Sequence, residues 1–216
     1  MTDLRQQLIA AARGMEPARL NRGTSGNLSV RTVENGAAGF LITPSGMPYA
    51  TLNPEDIVFM HHDGRPAGLR EPSSEWRIHR DIYAARPEAQ AILHAHSPFA
   101  TSLACLRRAI PPFHYMIARF GGDTLRCADY ATFGTQALSD AAIAALQDRS
   151  GCLLANHGML VFGRDPAHAL ALAVELEELC EQYWRSSQLG APVLLDSAEM
   201  ERKKKKFASY GVQRPR

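Results

Sequence analysis

Three histidines occupy positions where they could bind one metal ion. His94 and His96 alternate in the segment HAH, and alternating residues of a β-strand point to the same face of the sheet. Catalytic zinc sites typically use three protein ligands and leave a fourth position open. Two alternating histidines alone are more often structural. His157 favours a metal site, because it lies in an Asn-His-Gly turn between two apolar segments that are typical of strands.

Glu75 is the candidate acid or base beside these histidines. It follows Pro72, Ser73 and Ser74, which are typical of a helix start, and the helix is predicted to stop at Pro87. A glutamate there could instead serve only the helix dipole, an effect of about 0.3–1 kcal/mol. The three histidines favour the catalytic interpretation. The free backbone N–H groups and two serine hydroxyls of this helix start would also suit a phosphate.

A glycine-rich turn at residues 23–27, GTSGN, precedes the first predicted strand at residues 28–31. Glycines permit tight turns and bring backbone N–H groups close to an anion. The segment lacks the lysine and the spacing of a P-loop. Taken alone, it is more often a plain turn than a phosphate site.

Composition predicts a globular domain of ordinary size and excludes several classes of protein. The 216 residues are 45% hydrophobic and 21% charged, and a net charge of +2 gives no strong attraction to nucleic acid or membrane. The four cysteines are widely spaced, which suits a reducing cytosol, and no C-x-x-C pair indicates a zinc finger. No apolar run approaches the roughly 20 residues of a membrane span, and the charged N-terminus is not that of a signal peptide. We therefore expect a cytoplasmic protein.

The remaining patterns supply the elements that must position these residues. Helices are predicted from an apolar stripe near the N-terminus, at residues 97–108, at 136–147, and from Asp165-Pro166 to near Gly190. Short strands are predicted at residues 40–43 and 57–60. The lysines at 203–206 are interpreted as a solvated helix face rather than a nucleic-acid site, because the rest of the chain is not basic.

Eight stretches, taken in order, resemble the class II aldolase/adducin family, and within it the aldolases of L-fuculose 1-phosphate. They are LNRGTSGNLSVR, FLITPSGMPY, PSSEWRIH, HAHS, IPPFHYMIA, YATFGT, NHG and FASYG, and they extend from residue 20 into the C-terminal tail. The resemblance implies an α/β fold of three layers, α/β/α, with a central, largely antiparallel mixed sheet. It further implies one domain over residues 1–216, with residues 196–216 forming a helical tail near the active site. A homotetramer with active sites between subunits is expected.

The same resemblance assigns roles to individual residues. It implies one zinc ion per chain, with Glu75 moving a proton at C1 of the enediolate that becomes dihydroxyacetone phosphate. It implies that Tyr115 reaches a neighbouring subunit's site as a proton donor and that Tyr210 shapes the catalytic pocket. The implied zinc ligands are His94, His96 and His157. The implied phosphate contacts are Gly26, Asn27, Ser45, Gly46, Ser73 and Ser74. The implied aldehyde-pocket residues are Phe133 and Phe207.

The implied reaction is reversible cleavage of a ketose 1-phosphate similar to L-fuculose 1-phosphate, giving dihydroxyacetone phosphate and a small aldehyde such as L-lactaldehyde. Family members also cleave 5-deoxyribulose or methylthioribulose 1-phosphate, or decarboxylate tetronate phosphates. A pentulose-phosphate 4-epimerase is less favoured, because HYMIARFGG resembles the aldolase segment. A non-catalytic adducin-like scaffold is less favoured because the histidines and Glu75 are all present. The aldehyde stays open, since Ser25, Ser45 and Asn156 depart from the fuculose-phosphate enzymes.

Overall fold

The computed structural model describes residues 3–207, which are built around an eight-stranded sheet of order β4-β3-β2-β1-β5-β8-β7-β6. Neighbouring strands are antiparallel except for β6 and β7, which are parallel. The strands are β1 (Asn27–Glu34), β2 (Ala37–Ile42), β3 (Val58–His61), β4 (Pro66–Ala67), β5 (Ala91–Ala95), β6 (Cys127–Ala128), β7 (Gly151–Leu154) and β8 (Gly158–Gly163).

Helices cover both faces of this sheet and give the expected three layers. One face carries α1 (Leu4–Gly14), α3 (Pro98–Ala104) and α5 (Pro166–Leu189), and the other carries α2 (Trp76–Ala85) and α4 (Gln136–Ala145). A last helix, α6 (Ser197–Phe207), packs against the short 3₁₀ helix Tyr115–Phe120. The predicted fold class is confirmed. Whether residues 1–216 form a single domain stays a prediction.

Strand β5 shows how burial on both faces shapes the sequence. All five of its residues are buried, and their side chains alternate between the two cores, with Leu93 on the α1/α5 side and Ile92 on the α2/α4 side. Such doubly covered strands are continuously apolar rather than alternating. His94 follows the alternation of Ile92 and points toward α2. The one polar side chain of this strand is therefore held between the sheet and the helix that begins after Glu75.

Element boundaries differ from the predicted ones where turn geometry decides them. Strands β1 and β2 are longer than predicted because Asn35 and Gly36, at φ 50° and 79°, form a tight hairpin turn between them. The predicted helix at residues 97–108 ends at Ala104, and Arg107 adopts φ 53°, which no helix accommodates. The start of α5 agrees with its prediction, since Asp165 Oδ1 accepts a hydrogen bond from the His168 backbone N–H at 2.7 Å.

Among the helices within residues 3–207, none has both the length and the apolar character needed to cross a bilayer.

Candidate metal centre and active site

Three imidazoles meet where β5 ends and β7 turns into β8. The ring centroids of His94, His96 and His157 lie 4.7–4.8 Å from one another. Nε2 of His94 lies 2.9 Å from Nε2 of His96. One ligand atom from each ring and one carboxylate oxygen of Glu75 all lie within 4.8 Å of one another. Residues predicted from two distant segments are therefore brought together.

Backbone geometry places His157 in this cluster. Asn156 has φ 52°, so the chain reverses sharply after β7. A Cβ at Gly158 would overlap the carbonyl oxygen of Ala95 and lie 3.0 Å from the His96 ring. Only glycine lets β8 start this close to β5, and the close approach sets His157 against His96.

The donor set fits a divalent metal ion such as zinc. His94 Nδ1 lies 2.8 Å from the backbone oxygen of Met159. A carbonyl oxygen can only accept, so Nδ1 carries the proton and the lone pair of His94 Nε2 faces the cluster. Tetrahedral zinc, at about 2.0–2.1 Å from each nitrogen, sets neighbouring nitrogens about 3.3 Å apart. Imidazole nitrogens that converge on one point in this way repel one another unless a cation or a proton lies between them.

Glu75 adjoins the cluster and does not cap its own helix. It is the residue immediately before α2, its side chain makes no capping hydrogen bond, and it is 7% exposed. Oε2 accepts a hydrogen bond from Asn27 Nδ2 at 2.9 Å and lies 3.3 Å from His94 Nε2. Oε1 lies 3.3 Å from His157 Nε2, yet it is buried with no hydrogen-bond partner. A buried carboxylate oxygen without a partner is costly, and a catalytic role or a nearby cation would account for it.

Electrostatics favour neutral imidazoles and an ionised carboxylate. Burial lowers the pKa of His94 and of His96, and burial together with the charge of His94 lowers the pKa of His157 to about 4. Neutral imidazole is the form that binds a metal. Burial by itself raises the pKa of Glu75, but His94, His157 and the Asn27 hydrogen bond outweigh it, and the pKa lies below its ordinary value. Glu75 is thus ionised near neutral pH, which is the form that can accept a proton.

A cavity of about 350 Å³ opens beside Glu75, His96 and His157. All six residues predicted to contact phosphate line it, and within residues 3–207 no lysine or arginine does. An anion there would be held by hydroxyls, an amide and backbone N–H groups rather than by a cation. The lining residues are Thr24, Ser25, Gly26, Asn27, Pro44, Ser45, Gly46, Ser73, Ser74, Glu75, His96, Tyr130, Ala131, Phe133, Asn156 and His157.

The predicted phosphate residues differ in how free they are. Asn27 is 2% exposed, and its amide already contacts Glu75 and His79. The Ser73 hydroxyl accepts a hydrogen bond from the Glu75 backbone N–H at 3.3 Å and so helps to fix the start of α2. Ser74 is exposed, and its hydroxyl has no hydrogen-bond partner in the described part of the chain. Ser74 is therefore the more available of the two serines.

Of the described residues predicted to contact the aldehyde, one lines the cavity and the others do not. Phe133 lines the cavity and is 65% exposed. Tyr115 and Phe207 stack on each other with ring centroids 6.4 Å apart, and neither lines the cavity of its own chain. Tyr210 lies outside the described residues. Roles for these three residues stay predictions, and for Tyr115 they require a cavity completed by a neighbouring subunit.

Sequence reasoning missed a polar network behind Glu75. His79 recurs with Ile82 and Tyr83 at helical spacing, which is typical of an apolar stripe, yet its ring is hydrogen bonded at both nitrogens. The available signal was the four-residue spacing between Glu75 and His79, which places both side chains on one face of a helix.

Sequence reasoning also missed Arg107, which contacts two residues that line the cavity. Its Nε donates a hydrogen bond to Asn156 Oδ1 at 2.6 Å, and its guanidinium lies over the Tyr130 ring.

Helices cover both faces of the sheet, and at the end of β5 a carboxylate lies against three imidazoles that could hold a metal ion. Residues 6–184 match the model of the Class II Aldolase and Adducin N-terminal domain family. The chain belongs to this family, and the predicted membership is confirmed.

The relatives are aldolases, and the match covers almost their whole length. The chain is 54% identical to 5-methylthioribulose-1-phosphate/5-deoxyribulose-1-phosphate aldolase of Rhodospirillum rubrum, covering 96% of this chain and 92% of the relative. It is 40% identical to L-fuculose phosphate aldolase of Escherichia coli K12, covering 97% and 96%. A solved structure of L-fuculose 1-phosphate aldolase superposes with a TM-score of 0.90 at 39% identity, covering 96% and 97%. The chain is a class II aldolase, as predicted.

Proposed function

We propose that this aldolase reversibly cleaves a ketose 1-phosphate between C3 and C4, releasing dihydroxyacetone phosphate and a small aldehyde. The observation that carries the proposal is the placement of Glu75, which lines a cavity rimmed by hydroxyls and amides and whose unpartnered Oε1 lies 3.3 Å from His157 Nε2. One zinc ion per chain is proposed, held by His94, His96 and His157, because three neutral imidazoles are characteristic zinc ligands. Bound zinc supplies a Lewis acid that stabilises negative charge on the substrate's carbonyl oxygen.

The chain's own residues then position the substrate and move its protons. The phosphate, held by Ser74 and the turns at Gly26 and Gly46, sets C3 of the ketose beside Glu75. After the C3–C4 bond breaks, Glu75 Oε1 delivers a proton to C3 of the ketose, which becomes C1, the hydroxymethyl carbon, of dihydroxyacetone phosphate. In condensation Glu75 removes the same proton. Tyr115 of a neighbouring subunit exchanges the proton on the aldehyde oxygen, in a homotetramer with shared active sites. A positioned acid or base of this kind contributes about 10²–10⁴-fold to a rate.

For the substrate, we propose a 5-deoxypentulose 1-phosphate rather than L-fuculose 1-phosphate. Cleavage of 5-deoxyribulose or 5-methylthioribulose 1-phosphate releases an aldehyde whose α-carbon carries hydrogen or sulfur, whereas L-fuculose 1-phosphate releases lactaldehyde with an α-hydroxyl. The cavity lining also includes Tyr130, Ala131 and Phe133, which suits an apolar substituent. The relative at 54% identity acts on the two 5-deoxypentulose phosphates.

A substrate screen tests this proposal. Purified, zinc-loaded protein is incubated with 5-deoxyribulose, 5-methylthioribulose and L-fuculose 1-phosphates, and release of dihydroxyacetone phosphate is measured. We expect the highest kcat/KM for one of the first two. A higher kcat/KM for L-fuculose 1-phosphate would overturn the substrate choice alone. No release from any of the three would overturn the proposed reaction.

The phosphate contact gives a prediction at Ser74. Ser74→Ala should raise KM for the phosphorylated ketose about tenfold or more, because a hydrogen bond to a charged group is worth about 1.5–3 kcal/mol. KM for the unphosphorylated ketose should change little. Ser73→Ala is the matched control: its hydroxyl also holds the Glu75 backbone N–H, so kcat should fall as well. Equal effects of Ser74→Ala on both substrates would exclude the phosphate contact.

A further inference from the structure

A continuous chain of hydrogen bonds runs from Tyr83, near the C-terminal end of α2, to Glu75. Tyr83 Oη lies 2.7 Å from Ser29 Oγ, and Ser29 Oγ lies 2.6 Å from His79 Nδ1. His79 Nε2 lies 2.5 Å from Asn27 Oδ1, and Asn27 Nδ2 donates to Glu75 Oε2 at 2.9 Å. All five side chains are buried, and Ser29 and His79 have no solvent exposure. The chain couples α2 to β1 behind the cavity.

The direction of every bond follows from the chemistry of its acceptor. The amide oxygen of Asn27 can only accept, so His79 Nε2 carries a proton and donates it. Nδ1 of a neutral imidazole must then accept from the Ser29 hydroxyl, which in turn accepts from Tyr83. Each donor therefore points toward Glu75, and the carboxylate terminates the series. Hydrogen bonds aligned in this way reinforce one another in a dry interior.

His79 stays neutral under working conditions, which keeps this pattern fixed. Burial, and to a smaller extent the charge of His94, lowers the pKa of His79 to about 3. The charged and titratable groups that influence it are His94 and Glu75, and the other hydrogen-bonded members of the chain are uncharged. The His79 ring consequently offers one donor and one acceptor throughout the neutral range.

We propose that His79 is a positioning residue for proton transfer by Glu75. Its N–H fixes the Asn27 amide so that Nδ2, and not Oδ1, faces Glu75 Oε2. That bond occupies Oε2 and leaves Oε1 as the oxygen that is free for the C1 proton. Without the His79 donor, the amide can rotate by half a turn and present its oxygen to the carboxylate, which would repel it. His79 itself is fully buried and does not line the cavity, so it acts only through Asn27.

The inference rests on the proposed aldolase reaction, and the test separates the two. The readout is exchange of the C1 proton of dihydroxyacetone phosphate in heavy water, followed by NMR at saturating substrate with the zinc-loaded protein. Two variants are compared. His79→Gln keeps an N–H close to the position of Nε2, whereas His79→Leu keeps neither hydrogen bond. Ile82→Ala is the matched control, because it opens the same buried face of α2 without touching the chain of hydrogen bonds.

We expect His79→Leu to slow exchange by about tenfold to a hundredfold, the cost of a small misplacement in an active site. KM and zinc content should stay within about twofold, and His79→Gln should restore exchange to within about fivefold of the unmodified protein. Ile82→Ala should lower the melting temperature and leave exchange unchanged. Unaltered exchange in folded His79→Leu would overturn the inference, and so would a folded, zinc-loaded His79→Gln protein with exchange reduced more than tenfold. If His79→Leu does not fold, the His79→Gln result decides. Absence of exchange in the unmodified protein would instead overturn the proposed reaction.

Discussion

Replacing Glu75 with glutamine is expected to remove most of the activity while leaving the metal in place. Glutamine has nearly the same shape, and its amide oxygen can still accept the hydrogen bond from Asn27 Nδ2. It cannot take up the C1 proton, so both ketose cleavage and C1 exchange should fall by about 10²–10⁴-fold, the contribution of a positioned base. Zinc content, measured by elemental analysis, should stay near one per chain. The loss would then belong to proton transfer rather than to metal binding.

A matched variant separates the loss of a base from the loss of a buried charge. Glu177 is also a buried glutamate, but its oxygens accept hydrogen bonds from Ser97 Oγ at 2.6 Å and from the backbone N–H groups of Phe99 and Ala100, each at 2.8 Å. Glu177→Gln should destabilise the start of α3 and leave kcat unchanged, because Glu177 does not line the cavity. Near-normal turnover in Glu75→Gln would leave Glu75 with no catalytic role and reduce it to a charge at a helix start.

Much of the fold and of the histidine cluster can be predicted from local sequence rules. His94 lies in β5 and His96 directly follows its last residue, and alternation along the extended chain places both on one side. Asp165 and Pro166 start a helix by capping chemistry that depends on neighbouring residues only. The segment around His157 indicates a turn between two strands, and β8 pairs directly with β5. Apart from the pairing of β8 with β5, these features depend only on residues that are close in sequence.

The remaining features depend on contacts between segments far apart in sequence. The strand β1 brings Asn27 beside Glu75 and His79, and this contact gives the Asn27 amide a second task besides the predicted phosphate contact. His79 looked apolar by position because helical periodicity records burial and not hydrogen bonding. Gly158 is needed only because β5 lies against it. Such requirements are set by register and packing, which no local pattern in one chain specifies.

Removing a histidine of the cluster is the second substitution for which we expect a large loss of activity. His157→Ala should lose zinc and, with it, nearly all cleavage and C1 exchange. Loss of a partner that only orients a metal ligand costs about 10–100-fold in metal affinity or activity, and loss of a ligand should cost more. His62→Ala is the matched control, since His62 is exposed and lies outside the cluster. Elemental analysis of both proteins after dialysis gives the measurement.

The pH dependence of metal binding provides an independent check on the same ligands. Protons compete with zinc for imidazole nitrogen, so bound zinc should leave as the pH falls below about 6. Because burial lowers the pKa of His94, His96 and His157, protonation of the cluster is harder than for exposed imidazole, and zinc should persist below the ordinary histidine pKa of about 6.5. Removing one ligand should weaken zinc binding and move the release to higher pH. Full zinc content in His157→Ala at neutral pH would show that His157 is not a ligand.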